Sequence, residues 1–158
     1  MFREMRRSRQ AMSEQECLDL LKKQPRGVLS VLGDDGYPYG IPMDHWYREE
    51  DGKLYFHGSK VGHKADALRA CDKVSYCVHD EGYRNEGEWI LNFRSVVVFG
   101  RVRFVEDEEQ TRRVCENLCR KFTDDRGYFE QEFAAAGRTV LCFELTPEHI
   151  TGKRVRES

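Results

Sequence analysis

Between residues 27 and 57 the chain reverses twice with no room for a helix. Gly27–Leu32 (GVLSVL) reads as a strand, Gly33-Asp34-Asp35-Gly36 as a tight turn, and Tyr37–Tyr47 (YPYGIPMDHWY) as a second extended segment. Glu49–Gly52 turns again, and Lys53–His57 (KLYFH) is a third strand. Parallel neighbours need a crossover of roughly a dozen residues or more, so strands joined only by turns must run antiparallel. A doubly wound α/β fold is thereby disfavoured. Pro38 and Pro42 cannot donate ladder hydrogen bonds, which places the second segment at a sheet edge or a bulge.

The flanking sequence adds helices around this sheet. Ser13-Glu14-Gln15-Glu16 is a capping box, followed by an apolar stripe of Cys17, Leu18, Leu20 and Leu21 and a stop at Pro25 and Gly27. Gly58–Gly62 is a loop that leads into a short helix over His63–Ala70. Lys73–Val78 alternates as a strand, and Asp80–Glu88 is a polar loop. Trp89–Phe93 and Ser95–Val105 make one or two long strands with a bend or bulge at Gly100. Asp107 with Gln110 caps a helix whose Val114, Leu118 and Phe122 share a face. A further helix is expected near Tyr128–Ala136, and Thr139–Leu145 closes the set as a strand. The expected fold is mainly β with helices: an antiparallel barrel of six to seven strands carrying two to four helices. At 158 residues it forms one domain, 1–158, with residues 1–12 a loosely ordered arm.

Charge narrows the partners. Lys+Arg 26 against Asp+Glu 28 leaves −2, so no overall field favours nucleic acid. Arg3, Arg6, Arg7 and Arg9 lack interleaved aromatics and read as a solvated terminus. No apolar run approaches the roughly 18 residues of a membrane span, and MFREMRRSRQ has no signal-like apolar stretch. The expectation is no nucleic acid, no membrane and a cytoplasmic location. Six cysteines show neither a CxxC nor a Cys/His zinc spacing. Cys115 and Cys119, four apart on a helix, read as two small hydrophobes before they read as a metal pair. No metal is expected.

The segment Gly58-Ser59-Lys60-Val61-Gly62-His63-Lys64 is where chemistry concentrates. It leaves a strand and enters a helix, so free N–H groups meet the positive end of the dipole. Its glycines allow close backbone approach, Ser59 offers a hydroxyl, and Lys60, His63 and Lys64 offer cations. These suit a phosphate, although neither the GxxxxGK[ST] nor the GxGxxG spacing is present. By itself the segment reads more simply as a solvated turn, and His57 as a structural histidine at a strand end.

A wider pattern shifts that balance. Asp34-Asp35-Gly36-Tyr37-Pro38-Tyr39, Ile41-Pro42-Met43 and Leu54–Ser59 through Gly62-His63-Lys64-Ala65-Asp66-Ala67-Leu68 resemble the pyridoxamine 5′-phosphate oxidase-related superfamily. With Arg94–Gly100 (RSVVVFG) and the closing Ile150-Thr151-Gly152-Lys153, the chain looks most like the 5-nitroimidazole-resistance (Nim-type) flavoproteins, over about residues 5 to 154. The resemblance implies a split β-barrel homodimer holding FMN between subunits. By position, His57, Gly58 and Ser59 would lie along the flavin and its ribityl chain. Lys64 with His63 would hold the phosphate, and the backbone at Pro42, Met43 and Asp44 would run beside the ring. Arg94 and Ser95 match a segment reaching the flavin from the partner chain. His57 would face the flavin and substrate, as proton donor or positioning group. His45 and Trp46 read equally as pocket walls or as outward side chains on an edge strand.

Two departures bear on activity. The ending Thr151–Ser158 does not match the Arg-rich segment that holds the substrate phosphate in the vitamin B6 oxidases. The phosphate loop carries Lys64 where those enzymes have two basic residues together. The expected function is therefore an FMN-dependent oxidoreductase, nitroreductase-like, acting on small electron-poor compounds. The alternative is a non-enzymatic flavin or haem binding protein on the same barrel, with His57, His45 or His63 as an axial ligand. A purely structural dimerisation domain ranks third, because it leaves the glycine-basic loop unexplained.

Overall fold

The computed structural model describes residues 1–157. In chain order it contains α1 (Glu14–Lys23), β1 (Arg26–Leu32), β2 (Pro38–Asp44), β3 (Trp46–Arg48), β4 (Lys53–Ser59), α2 (His63–Ala70), β5 (Lys73–His79), β6 (Leu91–Val105), α3 (Glu108–Cys119), α4 (Arg126–Ala136) and β7 (Val140–Glu157). Every ladder is antiparallel, in the sheet order β2-β1-β5-β6-β7-β4-β3. The antiparallel half-barrel with helices is thus as expected from the turn spacing.

The order of the edges explains the curl. β2 and β3 are separated in sequence by His45 alone, yet they occupy opposite edges of the seven-stranded sheet. The sheet must roll until its two edges meet at that residue. The expectation of one continuous segment over residues 37–47 is corrected here. The His45 N–H donates to the Pro25 carbonyl at 3.2 Å instead of joining a ladder, and its ring is fully buried. Pro38 and Pro42 do lie on an edge strand. In an antiparallel ladder alternate residues turn their backbone groups to the neighbour, so Pro42, lacking an N–H, takes a position facing away from β1.

β6 is a single strand of 15 residues, and β7 runs for 18 beside it. Their register shifts between Phe99 and Gly100, where Phe99 faces His149 and Gly100 faces Pro147, leaving Glu148 as the extra residue of a bulge. The expected last strand, Thr139–Leu145, is therefore less than half of the real one. Its second half, PEHITGKRVRE, is charged and non-alternating, and only pairing with β6 makes it a strand.

The barrel interior takes the inward residues of each strand, including Leu29, Val31, Tyr76, Val78, Val96, Val98, Phe56 and Phe143. Phe56 stacks on Phe143 with centroids 5.0 Å apart and meets Tyr76 edge-on at the same distance. α1 contributes Cys17, Leu20 and Leu21, its first turn fixed by a complete Ser13–Glu16 capping box. A second apolar cluster forms outside the barrel, where Val114 and Leu118 of α3 pack on Tyr55, Val105 and Cys142. α3 ends at Cys119, so Phe122 falls beyond it and is 61% exposed, a correction to the expected three-residue stripe. Among the described residues no helix is long and apolar enough to cross a membrane.

Candidate functional site

Rolling the sheet brings β2 and β4 to the two sides of a seam, with α2 starting at its end. Met43 is buried there, Asp44 is half-buried and paired with Arg26 at 2.6 Å, and His57 presents its ring outward from β4. α2 begins three residues after β4 ends, which carries Lys64 back over the strand. Its Nζ lies 3.2 Å from Met43 Sδ, and a Cβ placed on Gly58 would come within 2.7 Å of that nitrogen. Glycine at 58 is what lets the ammonium settle there.

The electrostatics of Lys64 are unusual. Among the described residues no carboxylate lies within ion-pair distance of it, and a thioether is a weak acceptor. Burial alone pulls its pKa below the ordinary lysine value. A partly desolvated cation with no counter-charge is relieved by an anion. The α2 N-terminus adds to this, since Gly62 (φ +111°) caps it without a side chain and leaves the first N–H groups open.

His57 stands beside it. Burial lowers its pKa most, the Lys64 charge lowers it further, and Asp44 opposes both. Asp44 and His57 form the barrel side of a cleft of about 450 Å³ whose other wall comes from α3 and α4, including Cys115, Tyr128, Phe129 and Phe133. The α3–α4 side is largely apolar and aromatic, with Glu132 and Thr123 among its polar groups, and the barrel side carries the Asp44–His57 ionisable pair. That arrangement suits a planar ring held against a few polar groups.

A family model described as pyridoxamine 5′-phosphate oxidase matches residues 13–154. The chain belongs to the pyridoxamine 5′-phosphate oxidase family. No curated protein matches it. Among solved structures it is similar to a candidate 5-nitroimidazole antibiotic resistance protein from Bacteroides thetaiotaomicron. That likeness has TM-score 0.78 and 22% identity, covering 93% of this chain and 87% of the other. An FAD binding protein from Mycobacterium smegmatis is similar with TM-score 0.65 and 20% identity, covering 94% and 99%. An FAD and haem binding protein of the same organism has TM-score 0.70 and 22% identity, covering 92% and 72%. At these identities the likeness is one of fold.

Within this family member the expected site residues divide into two groups. Pro42, Met43, Asp44, His57, Gly58, Ser59 and Lys64 gather at the seam. His63 turns away from it: its ring stacks on Tyr39 at 4.3 Å, and its Nε2 accepts from Asp34 N–H at 3.4 Å, holding the β1–β2 turn. Arg94 and Ser95 lie on β6, where Arg94 donates to Asp80 through both N–H and Nε at 2.9 Å, and Ser95 faces His79 and Lys153. Lys60 donates to the Arg138 carbonyl at 2.6 Å. His45 is not a cleft wall but a buried corner, and Trp46 packs on Tyr55 at 5.3 Å. The aromatic wall from α4 had only a faint sequence signal, the i, i+4 pair Phe129 and Phe133.

Proposed function

We propose that this protein is a homodimeric flavoprotein that holds FMN at the β2–β4 seam and reduces small electron-poor compounds of the nitroimidazole type. The observation that carries the reading is the Lys64 ammonium, half-buried over Gly58 with no carboxylate partner among the described residues and an open helix N-terminus beside it. One such cation fits the single phosphate of a mononucleotide. The cleft next to it has an aromatic side for a ring. A bound flavin would supply electron transfer to the acceptor.

The chain's own residues provide position and polarity. Lys64 and the α2 N–H groups bind the phosphate, and the outward backbone at Pro42 and Asp44 flanks the ring. His57, biased toward its neutral form, holds a proton on one ring nitrogen and leaves the other to accept, next to where substrate would lie. The fold likeness to flavin-binding and nitroimidazole-resistance proteins supports the class. Six free cysteines fit a reducing cytoplasm.

The homodimer is supported by an outer sheet face that carries no charge along one full row. Pro42, Val28, Cys77, Val97 and Thr151 are successive ladder partners across five strands, and Tyr83 and Trp89 stand exposed on the adjoining β5–β6 loop. A second copy seated there would cover it and bring its own β6 segment, with Arg94 and Ser95, toward the open side of the seam.

A visible absorption spectrum of the purified protein, taken with the His57→Ala and Lys64→Ala variants, tests the reading. Flavin absorption is expected in wild type and in His57→Ala, and its loss by at least about tenfold in retained cofactor is expected in Lys64→Ala. Nitro-compound reduction should fall in His57→Ala although the flavin stays. A wild type that takes up no FMN rejects the proposal. A Soret band would favour the haem alternative, for which His57 is the imidazole facing the cleft, because His45 has both ring nitrogens engaged.

A further inference from the structure

Cys115 of α3 and Cys142 of β7 meet across the contact that holds the helix to the barrel, with their sulfurs 3.8 Å apart and both thiols free. Cys142 is 1% exposed and is the ladder partner of His57. Cys115 is half-buried and lines the cleft. Among the described residues no other pair of cysteine sulfurs is in hydrogen-bond contact. The pair therefore has one sulfur reachable from the cleft and a second behind it. A disulfide needs a separation of about 2.05 Å, so the sulfurs have to close by a little under ~2 Å.

We propose that Cys115 and Cys142 are a reversible oxidation site that hydroperoxides convert to a disulfide, stapling α3 to β7 at the wall of the cleft. The Cys115 sulfur attacks one oxygen of hydrogen peroxide, the O–O bond breaks, and hydroxide leaves and takes up the Cys115 proton, giving a sulfenic acid and water. The Cys142 sulfur then attacks the Cys115 sulfur, the S–O bond breaks, and the second hydroxide leaves as water with the Cys142 proton. Two thiols and one peroxide become one disulfide and two waters. The order follows from accessibility. Cys115 lines the cleft, whereas the Cys142 S–H is buried and points to the Thr111 carbonyl at 3.9 Å, and burial pushes that thiol above the usual range.

The thiol chemistry needs no ligand in the cleft. Oxidising the purified protein with a small excess of hydrogen peroxide, alkylating it under denaturing conditions and mapping its peptides tests the assignment. Two of the six thiols should be lost and recovered with dithiothreitol, with a 115–142 linked peptide pair. Cys119→Ser should behave as wild type, and Cys115→Ser should lose no thiol pair. Six alkylatable thiols after peroxide, a Cys115–Cys119 link, or Cys115 driven to sulfinic acid with no link would each overturn it.

Discussion

His45 shows how far one side chain can set a fold's chemistry. Its Nε2 lies 2.6 Å from the Leu21 carbonyl, which can only accept, so that nitrogen carries the proton. Nδ1 lies 2.7 Å from the Tyr76 hydroxyl, whose one proton is shared between that nitrogen and the Met43 carbonyl, to which it donates at 2.8 Å. The ring thus joins α1 to the barrel and to the residue beneath Lys64. Burial, aided by the Lys121 charge, lowers its pKa to about 4. The native state therefore takes up its proton only below about pH 4, whereas the unfolded chain does so near 6.5. Stability from this residue is complete above pH 6.5 and is lost as pH falls toward 4, by roughly 3 kcal/mol. His57 is shifted in the same direction and adds to the loss with the same sign. Thermal melts from pH 7 to 4 should show a steep fall in wild type and a shallower one in His45→Gln, which begins from a lower Tm at pH 7. Equal slopes would remove His45 as the cause. The sequence could not reveal this role, because a histidine between two strand segments looks alike whether it turns in or out. Lys64 was legible for the opposite reason: Gly58–Lys64 is contiguous, and a strand–loop–helix needs no tertiary knowledge to point its N–H groups outward. His63 shares that stretch but not its fate, since one residue along a helix is about a 100° rotation.

At the scale of elements, local chemistry decided what was readable. α2 has the bounds its pattern gives, His63–Ala70, because a glycine start and a β-branched-poor run suffice. α3 begins where Asp107 accepts from Gln110 N–H at 2.7 Å, as the cap predicts. β7 is the counter-example, since its charged half becomes a strand only by pairing with β6 along its whole length. The register of the two long strands shifts at the bulge, and Gly100 is the residue that lets their backbones come this close. A Cβ there would lie 2.1 Å from the Thr146 carbonyl oxygen and 2.8 Å from Leu145 Cδ1. Backbone cannot move aside as a side-chain tip can, so Gly100→Ala should cost at least about 2 kcal/mol. Urea unfolding checks this, and an unchanged midpoint would mean that the bulge can open without loss.

The whole molecule is organised by the meeting of β2 and β3 at opposite sheet edges, which neither strand's sequence announces. Turn spacing says antiparallel, but the closure depends on β4 pairing with β7 across more than eighty residues of chain, from Leu54 with Leu145 to Ser59 with Val140. That long-range pairing creates the seam, and the seam brings the candidate site together. The same closure leaves the outer face over β2, β1 and β5 open, while Phe2 packs on Phe99 and His149 toward the β6–β7 end. Val28 is 42% exposed, and the ladder row from Pro42 to Thr151 is free of charge. Water on such a face is displaced favourably by a like face, at roughly 25 cal/mol for each Å² of apolar surface removed. Light scattering should therefore give a mass about twice 18.6 kDa. Val97→Glu puts a charge in the middle of the row, where the helices on the other side of the barrel cannot feel it. It should run as a single chain with unchanged far-UV circular dichroism. If the partner's Arg94 and Ser95 complete the seam, the separated chain should also lose bound flavin, although every residue of its own site is intact. Flavin retained by that monomer would confine the site to one chain, and a wild type already running as a monomer would remove the face as an interface between copies.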